Sequence, residues 1–339
     1  MQLFANSTKN VKNRNKKGNK KTSRRKIAMV MAMTFILSVS TGMQAYAAGT
    51  AYTLLNKLTV GGDYPAVQGL AIEKGLAYVL KSGGTNDCSF FYGEKTELKQ
   101  LKNGKKVISL PLGHGNDMTY RKADKKLYIA TMDKYIKRMP LSGDKNKIET
   151  IPTKYKVGSI ACWLNSDKFI LKKHKTEAEK EKDKWSEFHL VEINGTKVKE
   201  ICTFRVKEDE KKGEELNQGI CMYKGYLYVT FWNNDKTERN SSIYRVNEKM
   251  SSIEKKGKNT KEIKTYDKTQ IAKLDKNDLL KSAKNLEKPP KGTPIKIEIE
   301  SIAFTTEDYL YFTANAQYLD TAGNKKSLDG LYMINKKMA

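Results

Sequence analysis

Residues 217–233 read NQGICMYKGYLYVTFWN, and this stretch decides the fold. It holds two apolar runs joined at Lys224-Gly225, which is the pattern of a β-hairpin with alternating side chains. The first run contains Gln218-Gly219-Ile220-Cys221-Met222: a polar residue, a small one, an aliphatic one, a small one and an apolar one. The second run places the aromatic residue Tyr228 a short distance further on.

The same pattern occurs four more times along the chain. The other first runs are QGLAI at 68–72, NDMTY at 116–120, GSIAC at 158–162 and ESIAF at 300–304. The aromatic residues of the corresponding second runs are Tyr78, Tyr128, Phe169 and Tyr311. Third runs follow at 89–93, 135–141, 188–195, 242–247 and 330–335, and outer fourth runs at 107–112, 148–152 and 198–204. In the fourth unit IKTY at 263–266 is one option, and the last unit has no fourth run of its own.

Five such units predict an all-β protein, a five-bladed β-propeller. The unpartnered run 52–60 is expected to pair with the last unit and close the ring, so that 52–339 forms a single domain. Two insertions lengthen the repeat. Residues 172–187 are dense in charge, and 249–292 form an insertion before the last blade, with helical spacing at 270–286. The alternatives are a six-bladed propeller, with a degraded blade in 249–292, and a β-fold that is not a propeller.

The N-terminal segment is typical of a secretory signal peptide. Residues 1–26 carry ten basic and no acidic residues, 27–39 are uncharged, and Ala45-Tyr46-Ala47 is a cleavage pattern. An apolar run this short favours a cleaved Sec signal over a spanning anchor, and Arg24-Arg25 leaves a twin-arginine signal as a further alternative. We therefore expect residues 1–47 to be removed near Ala47 and the protein to be secreted.

Charge narrows the classes of partner. The formal net charge is +26, with 38% hydrophobic and 30% charged residues, which fits neither a membrane bundle nor a disordered chain. Loss of residues 1–47 would remove ten positive charges and leave 26 − 10 = +16. Export argues against nucleic acid as the partner. We expect attraction to an anionic cell-surface polymer or a carbohydrate, with peripheral wall or membrane contact, a monomeric state, and no cofactor or metal.

The four cysteines Cys88, Cys162, Cys202 and Cys221 leave two readings open. They lack C-x-x-C spacing, which argues against zinc and thioredoxin-type sites. One or two disulfides would suit an exported protein, with three full pairings allowed. Buried thiols on strands are the other reading.

The first position of each repeat defines the candidate site. A propeller's inner strands face a central channel, so Gln68, Asn116, Gln218 and Glu300 are expected to gather where the chain enters these strands, with a gap at Gly158. His114 and Asp117 stand beside Asn116 and, with Glu300, are the candidates for catalysis. Trp232 is expected to leave its strand for a loop, where it would join Gln68, Asn116 and Gln218 in binding a ligand. His174 and His189 are expected to be solvated and structural, respectively.

Three segments carry a resemblance to a known family. The C-terminal unit 297–335 and the hairpin 217–233 resemble the helveticin J-like bacteriocins of lactic acid bacteria. GHGNDMTY at 113–120 is similar to an element of secreted propellers from Gram-positive bacteria. The resemblance implies a secreted propeller that acts on cell surfaces or on neighbouring bacteria. The insertions 172–187 and 249–292 depart from the family pattern.

Two functions follow from the sequence. The first is a non-catalytic extracellular binding protein, bacteriocin-like or wall-associated, that recognises an anionic polymer or glycan. The alternative is an extracellular lyase or hydrolase that works at the channel mouth around His114, Asp117 and Glu300. The absence of G-x-S-x-G, H-E-x-x-H and P-loop motifs favours the non-enzymatic function.

Overall fold

A computed structural model describes residues 49–338, apart from 59–62, 84–85, 164–165, 177, 180–182, 209–213, 234–238 and 261. The predicted signal peptide, residues 1–47, lies outside the described residues. Within the described part of the chain, none of the helices has the length and apolar character needed to cross a bilayer.

Five antiparallel sheets of four main strands form the blades of a ring, so the prediction of a five-bladed β-propeller is confirmed. Blade 1 consists of β2 (Ala66–Glu73), β3 (Leu76–Ser82), β4 (Cys88–Glu94) and β5 (Glu97–Gln100), followed by a small hairpin of β6 (Lys102–Asn103) and β7 (Lys106–Val107). Blade 2 consists of β8 (Asp117–Arg121), β9 (Lys126–Asp133), β10 (Tyr135–Pro140) and β11 (Glu149–Pro152). A 3₁₀ turn, Lys145–Lys147, precedes β11.

The remaining strands follow the same order from the channel outward. Blade 3 consists of β12 (Val157–Cys162), β13 (Lys168–Lys173), β14 (Trp185–Asn194) and β15 (Lys197–Lys207). Blade 4 consists of β16 (Glu214–Tyr223), β17 (Tyr226–Asn233), β18 (Ser241–Val246) and, after the short β19 (Thr265–Tyr266), β20 (Lys268–Leu274). Blade 5 consists of β21 (Thr293–Phe304), β22 (Tyr309–Leu319) and β24 (Gly330–Lys337), and the short β23 (Lys325–Ser327) also pairs with β22.

The last blade is completed by the N-terminal strand β1 (Tyr52–Lys57), which pairs antiparallel with β24. Tyr52 lies opposite Ile334 in this ladder, and its hydroxyl donates a hydrogen bond to the Asp275 carbonyl at 2.8 Å. The two ends of the described chain therefore meet in one blade, which closes the ring.

The 249–292 segment holds no sixth blade among its described residues. It contains α1 (Met250–Lys258), β19, β20, a 3₁₀ turn (Lys276–Asp278) and α2 (Leu279–Ser282). The option of 263–266 as the outer strand of blade 4 is wrong, since β20 takes that place and β19 pairs in parallel with β15 of blade 3. The helical spacing at 270–286 gives an α-helix only over α2, because Ala272 and Leu274 are buried in strand alternation.

Blade 1 also differs from expectation at its outer edge. β5 is the fourth strand, whereas the run 107–112 forms no outer strand. Leu110 makes an isolated bridge with Cys88, and both Leu110 and Leu112 are fully buried. Their apolar side chains pack against β4 and β9 in the core between blades 1 and 2.

The repeated aromatic residues lie in the packed layers of the blades. Tyr78, Tyr128, Phe169, Tyr228 and Tyr311 are all buried. Burying a large apolar side chain stabilises the fold by about 1.5–3 kcal/mol, so this one position contributes in every blade. The hairpins that follow the inner strands are tight: Lys74-Gly75 and Lys224-Gly225 both adopt paired positive φ angles, as in type I′ turns.

Candidate functional site

A β-bulge interrupts the ladder beside the first repeat position in four of the five inner strands. The registers shift between Val67 and Leu70, Val157 and Ser159, Leu216 and Ile220, and Ile299 and Ser301. These shifts enclose Gln68, Gly158, Gln218 and Glu300. A bulge leaves a residue unpaired with the next strand and re-aims its side chain. The remaining inner strand, β8 of blade 2, has no bulge, and Asn116 comes directly before it.

The bulges correct one expectation from the sequence. The first repeat positions were expected where the chain enters each inner strand, and Gly158 and Asn116 fit this description. Gln218 and Glu300 instead lie well inside the long strands β16 and β21. β16 and β21 begin several residues before the bulge, because they pair with β17 and β22 on both sides of it. The bulge, rather than the start of the strand, therefore sets the direction of these two side chains.

Four side-chain oxygens at the first repeat position are buried and accept no hydrogen bond from the described residues. They are Gln68 Oε1, Asn116 Oδ1, Gln218 Oε1 and Glu300 Oε2, and we call them the oxygen ring. Gln68, Asn116 and Glu300 are each at most 2% exposed. The orientation of the Asn116 amide is fixed, because its Nδ2 donates to the Gly158 carbonyl at 2.6 Å. The sequence repeat identified all four residues, but it did not show that their oxygens lack hydrogen-bond donors.

Glu300 is held from one side by Asn315 on the neighbouring strand β22. The Asn315 Nδ2 donates to Glu300 Oε1 at 2.5 Å, and the Asn315 Oδ1 accepts from the Val67 amide of blade 1 at 2.9 Å. This leaves Glu300 Oε2 available. Burial raises the pKa of Glu300 well above its usual range, and the nearby Glu298 carboxylate raises it further.

Asp117 lies at the second repeat position and binds the other blades together. Its Oδ2 accepts the amides of Ile160 at 3.1 Å and Ile220 at 3.3 Å, and its Oδ1 accepts the Met118 amide at 3.0 Å and the Ser301 hydroxyl at 2.5 Å. The side chain is fully buried. Burial raises the pKa of Asp117 to about 8, although the four donors act in the opposite direction. A carboxyl group with four donors is placed for structure rather than for contact with a substrate.

The histidines occupy three different settings. His114 is half-buried in the loop before β8, where its amide donates to the Thr131 carbonyl at 3.3 Å. His174 is also half-buried and lies against Gly158. His189 is buried on β14, stacked on Tyr155 and within 3.3 Å of a carboxylate oxygen of both Glu187 and Glu200.

Trp232 does not leave its strand for a loop, so that prediction is wrong. It belongs to β17, is 9% exposed, and has the Lys296 Nζ 5.6 Å from its ring centroid. Its strand continues because Trp232 pairs with Glu215 and Ser241 on either side. Little of its ring surface is left for stacking on a sugar.

At the opposite end of the channel, the ends of the inner strands line a funnel of about 130 Å³ with both apolar and polar walls. Its wall includes Ile72, Tyr120, Met222 and Phe304. The hairpins that follow these strands form one face of the disc, which we call the hairpin face. Exposed lysines stand on three of the hairpins: Lys74, Lys122, Lys125 and Lys224. Lys224 pairs with Asp308 at 2.9 Å.

The four cysteines are free thiols. Cys88, Cys162 and Cys202 are buried and Cys221 is partly buried, so the reading as buried thiols holds for this structure. Burial raises the pKa of Cys162 to about 12 and that of Cys202 to about 11, which disfavours thiolate chemistry. Among the described residues, no group of three His, Cys, Asp or Glu side chains could hold a metal ion.

The fold and this channel define a five-bladed β-propeller with the oxygen ring at one end and a funnel of mixed polarity at the other. No protein-family model matches the chain, and no curated protein matches it. Solved structures with similar folds include an α-L-arabinofuranosidase from Podospora anserina in complex with cellotriose, with 11% identity, 86% of this chain and 98% of that chain covered, and a TM-score of 0.48.

Two further structures are similar at the same level. The catalytic domain of a GH62 α-L-arabinofuranosidase from Coprinopsis cinerea has 10% identity, covers 84% of this chain and 96% of that chain, and gives a TM-score of 0.46. Hydrazine synthase of Kuenenia stuttgartiensis has 10% identity, covers 78% and 81%, and gives a TM-score of 0.39. Likeness at these levels does not bear on what this chain binds or converts.

Proposed function

We propose that this protein is an extracellular binding propeller that attaches to an anionic surface polymer through its hairpin face. The observation that carries the proposal is the charge of that face. Lys74, Lys122 and Lys125 are exposed there, while the acidic Asp124 and Asp167 are engaged by Arg121. Glu73, Asp124, Asp167 and Asp308 are half-buried and Glu307 is exposed, so lysines make up most of the exposed charge of this face.

The rest of the molecule supports an excess of positive charge at the surface. Several acidic side chains each form ion pairs with two basic ones. Glu149 pairs with Lys126 and Arg138, and Glu254 pairs with Lys168 and Lys258. Each lysine close to an anionic surface contributes about 1 kcal/mol to binding. A face with several such lysines is therefore enough for attachment without a deep pocket. Secretion and the helveticin J-like relationship remain predictions from the sequence.

The test compares two fourfold variants that remove the same charge. One changes Lys74, Lys122, Lys125 and Lys224 to Gln on the hairpin face. The matched control changes four exposed lysines on the outer rim of blade 1: Lys99, Lys102, Lys105 and Lys106. Binding is measured to isolated Gram-positive cell walls, with and without their phosphate-containing polymers. We expect the hairpin-face variant to bind more than tenfold more weakly and the rim variant to bind nearly as well as the unmodified protein.

Salt gives an independent check. Binding should fall steeply towards an ionic strength of about 1 M, where the Debye length is only about 3 Å. Equal losses in both fourfold variants would show that only net charge matters and not the hairpin face. Binding that does not depend on salt would exclude the electrostatic attachment.

A second candidate function, a glycoside hydrolase or a lyase at the opposite mouth, is favoured by Glu300. A buried carboxyl whose pKa is raised by desolvation and that has a free oxygen suits a general acid. A hydrolase of this kind would also need an ionised partner, and Asp117 is committed to four donors. Turnover of a panel of aryl glycosides, including arabinofuranosides, that is lost in Glu300→Gln while wall binding persists would establish this function. Absence of turnover across the panel would leave the binding function alone.

A further inference from the structure

The oxygen ring brings four hydrogen-bond acceptors together without matching donors. Leaving a buried acceptor unpaired is costly, so four at the same repeat position call for a shared partner. We propose that the oxygen ring binds a calcium ion, with Gln68, Asn116, Gln218 and Glu300 as its protein ligands. This inference is independent of the proposed attachment through the hairpin face.

Hydrogen bonds around the ring link the inner strands to one another. Asn116 reaches the backbone of Gly158 in blade 3, the next first position around the channel. Asn315 contacts both Glu300 and the amide of Val67, the residue before Gln68. One residue further along, the Asp117 carboxyl touches the backbone or side chain of blades 3, 4 and 5 at once. The inner strands are thus close enough for a single side chain to span them.

The chemistry of the ring selects a hard cation. Amide and carboxylate oxygens are ligands of Ca²⁺, which accepts six to eight oxygens in flexible geometry and fills remaining positions with water. Mg²⁺ demands near-ideal octahedral geometry, which does not suit a ring built from three bulges and the residue before β8. Soft metals would need thiolates or imidazoles, and these side chains do not belong to the ring.

The charge of the ring sets the expected affinity. Glu300 is its sole ionisable ligand, and the nearby cation Lys296 is paired with Glu298 at 2.8 Å. One carboxylate places the site among weak extracellular calcium sites, with dissociation constants of about 10⁻⁴–10⁻³ M. Binding to the folded state alone raises the melting temperature, by about 5 °C at a hundredfold excess over the dissociation constant.

The experiment uses the purified chain after treatment with EDTA. Calcium chloride is titrated in a calorimeter, and the melting temperature is measured with and without about 10 mM Ca²⁺ or Mg²⁺ at constant ionic strength. We expect a single site for Ca²⁺, a shift of several degrees with Ca²⁺ and a much smaller one with Mg²⁺. No heat and no shift with Ca²⁺, or an equal shift with Mg²⁺, would overturn the assignment.

Two substitutions locate the site. Glu300→Gln keeps the acceptor for Asn315 but removes the charge, and should weaken Ca²⁺ binding at least tenfold. Its melting temperature in EDTA reports whether it folds, and it should equal or exceed that of the unmodified protein, since a buried amide costs less than a buried carboxylate. Glu298→Gln removes the same charge two residues away on β21 and should keep Ca²⁺ binding. Equal Ca²⁺ affinity in the unmodified protein and in Glu300→Gln would place the ion elsewhere and refute the proposal.

Discussion

The Asp117 carboxyl of blade 2 accepts a hydrogen bond from the Ser301 hydroxyl of blade 5 at 2.5 Å. These two blades are not neighbours in the ring, so the contact crosses the channel. The same carboxyl also accepts the Ile160 and Ile220 amides from blades 3 and 4. One side chain therefore ties four blades together at the centre, where the repeat supplies only small residues in the other blades: Gly69, Ser159, Gly219 and Ser301.

The first prediction concerns this central carboxyl. Asp117→Ala leaves three buried amides and a hydroxyl without an acceptor, each of which costs about 1–3 kcal/mol. We expect the free energy of unfolding to fall by about 3 kcal/mol or more, measured by urea denaturation. Asp133→Ala, at an exposed position of the same blade, is the control and should change it by less than about 1 kcal/mol. Similar losses in both variants would show that Asp117 does not hold the blades together.

The second prediction concerns pH. Asp117 and Glu300 both have a raised pKa, so the folded protein keeps protons that the unfolded chain releases near pH 4. Between pH 4.5 and pH 8 the unfolded chain binds fewer protons, and the free energy of unfolding falls as pH rises. Carboxylates with a lowered pKa, such as Glu149 and Glu179, act in the opposite sense below pH 4.5.

Thermal unfolding in EDTA across this range checks the prediction. The melting temperature should be highest near pH 5 and decline towards pH 8. Glu300→Gln removes one of the two proton-binding groups, so its decline should be shallower than that of the unmodified protein. A melting temperature that rises steadily from pH 5 to pH 8 would show that both carboxyls are ionised in the folded state.

The third prediction concerns the close approach of inner strands. A Cβ atom added at Gly219 would lie 2.8 Å from the Ser301 Cα, which belongs to the backbone and cannot move aside. Gly219→Ala should therefore lower the free energy of unfolding by about 1–3 kcal/mol through overpacking. Gly158→Ala is the matched control on another inner strand, because its added Cβ meets only His174 at 3.6 Å. Chemical denaturation of the two variants should separate them clearly, and equal stabilities would contradict the close packing.

Much of the fold was predictable because the repeat is local. One repeat, with its alternating apolar residues and its hairpin turn at Lys224-Gly225, spans only about 17 residues of chain. Five recurrences of this pattern predict the ring. The outer strands were harder to place. The run 107–112 is as apolar as a strand but packs between blades, and β20 carries an apolar spacing that suits either a helix or a strand. Long-range packing decides both cases.

The candidate site was predictable in composition and not in geometry. The repeat identified Gln68, Asn116, Gln218 and Glu300 by position. The bulges that aim three of these side chains and the unpaired state of all four oxygens are not visible in that local pattern. Asp117 looked like a catalytic candidate from its neighbours in the sequence. Its four donors come from three other blades and from Met118, and no local pattern reveals them.

The last prediction concerns the strand that closes the ring. Tyr52 of β1 is 4% exposed, and its ring meets Phe312 and Tyr332 edge-on with centroids 6.0 Å apart in both cases. Tyr52→Ala should lower the free energy of unfolding by about 3–5 kcal/mol, as for other large aromatic residues removed from a core. Tyr52→Phe loses only the hydrogen bond to the Asp275 carbonyl and should cost about 0.5–1.5 kcal/mol.

The control for this strand is Tyr92→Ala, an aromatic residue of β4 that is 40% exposed and should matter much less. Thermal and urea denaturation of the three variants give the comparison. Because β1 supplies the outer strand of blade 5, Tyr52→Ala should also make β24 more accessible, with faster amide hydrogen exchange at Leu331 and Met333. If Tyr52→Ala were no more destabilising than Tyr92→Ala and left exchange at β24 unchanged, the ring would not depend on β1 for closure.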